Sequence, residues 1–172
     1  NVPNGTFIAR ASYENDQKVV DPDWLIKNGE PQVTIASNSQ IVDFSCTGTV
    51  SLVSPTNTAN AQPVLVSGTN PTFSWDSYSS SSDYIIEVTD ANGNLIWGGF
   101  DRSGSLPVKN IVIPSSQTSI QFNSDGNALS ALLPGQVYRW RIYASKNAQQ
   151  EATGWKLISV SEDQKGLIKI SN

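Results

Sequence analysis

Apolar and polar residues alternate at every second position in short runs along almost the whole chain, and helical spacing is nearly absent. In an extended strand successive side chains point to opposite faces, so each run specifies one apolar face and one wet face. Thirteen runs have this character: 6–13, 31–36, 40–47, 49–54, 63–67, 72–77, 83–89, 94–100, 109–114, 118–123, 136–145, 154–160 and 166–170. Clusters of Pro, Gly, Asn, Asp and Ser separate them, the punctuation of short antiparallel strands. The expected fold is all-β, an antiparallel β-sandwich with a smaller N-terminal β-sandwich portion. Only "DPDWLIKNGEP" (21–31) has room for helix, and Pro22 and Pro31 confine it to a single turn. Asn92-Gly93 in "TDANGNL" predicts a two-residue hairpin turn with positive φ at both residues.

With 172 residues the chain is long enough to bury a core of that kind. Its formal net charge is −4, and no Lys/Arg cluster exists to neutralise phosphates, so nucleic acid is not an expected partner. The densest basic spot is "RWR" (139–141), whose arginines are expected as solvated strand positions. No run approaches the ~18 apolar residues of a membrane span. Methionine is absent, which leads to the expectation of a processed mature form or a fragment, extracellular or at the cell surface. The single cysteine, Cys46, is expected as a small buried hydrophobe.

A composition break falls at "SPTNTANAQP" (54–63), which holds no aromatic and no large aliphatic residue. It divides the chain into an N-terminal portion (1–53), a linker (54–62) and a larger C-terminal portion (63–172).

In the larger portion, Leu132, Pro134, Gly135 and Tyr138 have the spacing of a tyrosine corner, in which a hydroxyl turns back onto the preceding turn and pins the crossover between two sheets. Trp140 is the next inward residue, and Phe73 and Trp75 occupy inward positions upstream. Together "PTFSW", "YIIEVTDANGN", "IPSSQTSIQF" and "LLPGQVYRWRIYAS" resemble a bacterial fibronectin type III or immunoglobulin-like domain over residues 62–172. The resemblance implies structural roles for Trp75, Tyr138 and Trp140, and the long segment 98–117 implies an extra strand or a wrapped loop. Within the first fifty residues, Gly5-Thr6-Phe7, Val33-Thr34-Ile35 and Ile41-Val42-Asp43-Phe44 resemble the second half of a carboxypeptidase-regulatory-like, prealbumin-type sandwich. That resemblance implies missing first strands, hence an unpaired edge and an apolar face that invite association.

Chemistry is sparse. The chain has no histidine, which removes the commonest general base, the Ser-His-Asp triad and most catalytic zinc sites. No glycine-rich phosphate loop opens a helix, and no carboxylate pair stands out, so the chain is not expected to be an enzyme. One loop gathers Glu14, Asp16, Asp21 and Asp23, a crowd of hard oxygen ligands that suits calcium; a solvated acidic hairpin is the competing account. Among the aromatics, Trp24, Tyr78, Trp97 and Trp155 lie in or beside loops, and Phe100 follows Trp97 across two glycines. Of these, Trp97, Phe100, Tyr78 and Trp155 are candidate stacking residues for a glycan or a protein partner, against the alternative that Trp97 is a core lid.

Three functions follow as expectations. The first is a secreted or cell-surface structural protein that self-assembles, filament or surface-layer fashion, through strand pairing of its incomplete N-terminal portion. The second is a non-catalytic glycan- or protein-binding module. The third is a spacer fragment of a larger extracellular enzyme.

Overall fold

The computed structural model describes residues 3–11, 17–36, 43–57, 62–99, 111–146 and 156–172. The N-terminal portion holds β1 (Gly5–Ile8), β2 (Lys18–Val20), α1 (Pro22–Asn28), β3 (Gln32–Ile35) and β4 (Cys46–Gly48). There follow β5 (Leu52–Ser54), β6 (Val64–Val66), β7 (Thr72–Trp75), β8 (Asp83–Asp90) and β9 (Leu95–Gly98). The last five strands are β10 (Val112–Pro114), β11 (Ser119–Gln121), β12 (Val137–Lys146), β13 (Lys156–Val160) and β14 (Leu167–Ile170). The molecule is all-β with packed, mostly antiparallel sheets, and every one of the thirteen alternating runs overlaps a strand.

Two elements differ from the sequence reading. β2 is an added strand: its three residues turn one side chain, Val19, inward, too short a pattern for alternation to reveal. α1 runs for seven residues rather than one turn. Pro22 starts this helix instead of limiting it, because the first turn has no use for its missing N–H. Asp21 completes the start, its side chain accepting from the backbone N–H groups of Asp23 (2.9 Å) and Trp24 (3.3 Å).

The large sheet is organised about β8 and β12, antiparallel from Tyr138 opposite Asp90 to Ser145 opposite Asp83. The far edge of β8 is shared by β10 and β9, and the far edge of β12 by β14 and β13. β6 adds in parallel to β14. Facing it is a three-stranded sheet in the order β11-β7-β5. Among the described residues of the segment 98–117, β10 pairs with β8.

β5 therefore belongs to the sandwich, pairing Leu52 with Trp75, although the division at 53 assigns it to the N-terminal portion. Val50 is buried in the core as well. Residues 54–57 of the linker also lie on the sandwich: the Pro55 carbonyl accepts from Trp140 Nε1 at 2.8 Å, and buried Asn57 donates its backbone N–H to Lys165. Their polar composition reflects anchoring by hydrogen bonds rather than by apolar packing.

The core lies between the two sheets. Phe73 sits between Trp140 (4.8 Å between ring centroids) and Trp97 (6.4 Å), and Trp97 meets Phe122 edge-on at 5.3 Å. Each such aromatic stabilises the fold by roughly 2–3 kcal/mol on burial. The Tyr138 hydroxyl accepts the backbone N–H of Leu133 at 2.9 Å, tying β12 to the turn before it. Beside it the chain passes so close to β12 that a Cβ on Gly166 would sit 1.9 Å from the Trp140 carbonyl oxygen. The β8–β9 hairpin forms, but only Gly93 takes a positive φ (+84°) and the ladder shifts between Val88 and Thr89. The Asp90 carboxylate accounts for this bulged turn, since it accepts from the backbone N–H groups of Asn92 and Asn94, both at 2.8 Å.

Candidate functional site: a cleft beneath the N-terminal portion

The N-terminal portion consists of two antiparallel ribbons, β1–β3 and β2–β4, with α1 between β2 and β3. It rests on the outer face of the large sheet, where α1 packs against β13. Polar contacts fasten the junction. Thr47 Oγ1 lies 3.0 Å from the Tyr78 hydroxyl, Ser159 Oγ donates to the Gly48 carbonyl, and the Thr49 hydroxyl donates to the Val160 carbonyl at 3.0 Å. Tyr78, expected as a stacking residue, is thus half-buried and serves the joint.

Between the two layers lies a cleft of about 520 Å³. Ala9, Val20, Leu25 and Phe44 line it from the N-terminal side; Arg141, Tyr143, Val160 and Asp163 line it from the sandwich. Arg141 and Tyr143 reach it because alternation along β12 sends Trp140 and Ile142 to the core and their neighbours to the outer face. Arg141 stands opposite Glu87 in the β8–β12 register and donates to it from Nε (3.0 Å) and Nη2, while Nη1 donates to Asp163 at 2.9 Å. The guanidinium carbon lies 5.8 Å from the Tyr143 ring centroid.

Burial alone would lower the Arg141 pKa, but attraction from the Glu87 and Asp163 carboxylates outweighs it and leaves the pKa above its ordinary value. For Tyr143, burial first and then the Glu87 charge raise the phenol pKa, so the ring stays neutral. At the rim Arg10 pairs with Glu30 at 2.6 Å, and its own side chain is largely exposed. The cleft thus offers apolar walls and a floor of paired charges; no nucleophile beside a base is seen among its described residues.

The remaining expected site residues are scattered. Trp97 is fully buried and presents no face to a ligand; its Nε1 donates to Asp125 at 2.8 Å, which makes it a core residue with a satisfied polar edge. Phe100 and Trp155 lie outside the described residues, as do Glu14 and Asp16 of the calcium set. Of the two carboxylates described, Asp21 caps α1 and Asp23 pairs with Lys27 at 2.6 Å. No group of three or more Cys, Asp or Glu converges among the described residues. Cys46 is exposed rather than buried, because β4 turns Thr47 toward Tyr78 and so sends Cys46 the other way. Arg141 is half-buried and doubly paired rather than a solvated strand position. Its role escaped the sequence reading because Glu87 lies 54 positions away, and only the strand register brings the two together.

No protein-family model matches the chain, and no curated protein matches it either.

Proposed function

We propose that this chain is a non-catalytic, secreted or cell-surface structural subunit that joins copies of itself by strand pairing through the β1–β3 ribbon. One observation carries the reading: among the described residues β1 and β3 pair only with each other, while Phe7 and Ile8 remain 37% and 57% exposed. A free strand edge offers unpaired N–H and C=O groups to another chain, and apolar side chains beside it add contact area. In this reading residues 50–172 form a fibronectin type III-like body for the subunit. Its support is the β11-β7-β5 sheet facing the sheet built on β8 and β12, together with the Tyr138 hydroxyl bond. Light scattering on the full chain across a concentration series tests the proposal. The expected result is concentration-dependent oligomers that Ile8→Lys abolishes; a monomer at every concentration rejects it.

The cleft supports a second reading, a glycan- or protein-binding module, since binding pockets commonly have this volume and a mainly apolar lining. Retention on a glycan or protein array that Tyr143→Ala removes would favour it over self-assembly.

A further inference from the structure

We propose that copies join by exchanging their N-terminal portions, β1, β2, α1, β3 and β4 of one chain docking on the outer sheet face of the next. This rests on the self-assembly reading and adds to the β1–β3 edge a second joint, on the docked face. The portion has almost no core of its own: among its described residues only Val19 and Pro22 are buried. Its order therefore depends on the surface it covers. That surface is apolar where it matters. Leu157 on β13 and Ile85 on β8 are 1% and 0% exposed, yet neither belongs to the core between the sheets. Their register partners, Ser145 and Tyr143, lie on the face of β12 opposite to Ala144 and Ile142, which places both on the outer face.

One covalent crossing, residues 49–51 between β4 and β5, links cover and body. The change of partner is abrupt there: the Thr49 N–H donates back to Gln17, whereas the Val50 N–H and the Thr49 hydroxyl donate to Val160 of the body. A rotation at Gly48 and Thr49, ahead of the buried Val50, carries the cover away and leaves the core contacts of Val50 in place. The same two surfaces then meet between chains with the same contacts they make within one, which is why exchange of this kind costs little beyond the opening itself. The cleft lowers that cost further, because it is area the cover and body do not press together.

Wild-type chain prepared in light and ¹⁵N-heavy forms tests the exchange. Monomers of the two are mixed, assembled at high concentration and treated with an amine cross-linker that joins Lys27 of α1 to Lys156 of β13. Exchange predicts that about half of these links in the oligomer carry one light and one heavy peptide. Links of a single isotope throughout the oligomer would overturn the exchange and leave self-assembly standing through another joint. Absence of any oligomer would overturn both.

Discussion

The N-terminal portion and the sandwich are built from the same kind of strand yet hold together in opposite ways. In the sandwich, β8 and β12 run side by side for eight register pairs, and their inner faces meet Phe73, Trp75, Trp97 and Phe122 with almost no exposure. In the N-terminal portion the ribbons pair for three or four residues each, and Phe7, Ile8 and Leu25 stay more than a third exposed. Short pairing supplies hydrogen bonds but little buried area, and area is the larger stabilising contribution. The sandwich thus carries its own core, whereas the N-terminal portion depends on what it docks against.

That contrast can be broken by substitutions of graded size. Trp140→Ala in the core removes a fully buried indole that also donates to Pro55, and should cost about 3–5 kcal/mol in global stability by denaturant titration. Tyr138→Phe keeps the ring and removes only the acceptor of the Leu133 N–H. A loss of about 1–2 kcal/mol is expected, again global. Asp21→Ala strips the cap of α1 and should cost about 1 kcal/mol. Here the loss should be local: faster amide exchange in α1 and the β2–β4 ribbon, with the exchange of β8 and β12 unchanged. Equal acceleration everywhere would mean that cover and body open as one unit, and the contrast would fail.

The smallest effect is a pH dependence inside the sandwich. Burial pushes the Asp125 pKa up, but hydrogen bonds from Asn127 and from Trp97 Nε1 outweigh it and hold the carboxyl below its ordinary value. A folded pKa below the unfolded one adds stability that is fully present above the unfolded value of about 3.9 and is lost as pH falls through the lower folded value. Acid titration should show this loss in the wild type, and Asp125→Asn should flatten it. Trp97 fluorescence is the direct reporter, since its indole N–H makes the bond.

Local patterns made much of the sandwich legible before any contact was known. Alternation located its strands, Asn92-Gly93 located a hairpin, and the spacing from Leu132 to Tyr138 located the hydroxyl that bonds to Leu133. Each of these signals lies within about ten residues, the range over which backbone sterics and side-chain alternation act. The cleft had no such signal. Arg141 and Glu87, Tyr78 and Thr47, and Ser159 and Gly48 are brought together across separations of 54, 31 and 111 residues.

By itself the sequence determined the fold class, the positions of every described strand except β2 and the lack of histidine-based chemistry, because these follow from residue type and period. Tertiary structure alone decided which face each ambiguous residue took. It turned Trp97 inward by giving its N–H an acidic partner, turned Cys46 outward by giving Thr47 a tyrosine, and drew β5 into the sandwich by pairing it with β7. A side chain's burial depends on what lies opposite it, and what lies opposite is settled by strand register across the whole chain.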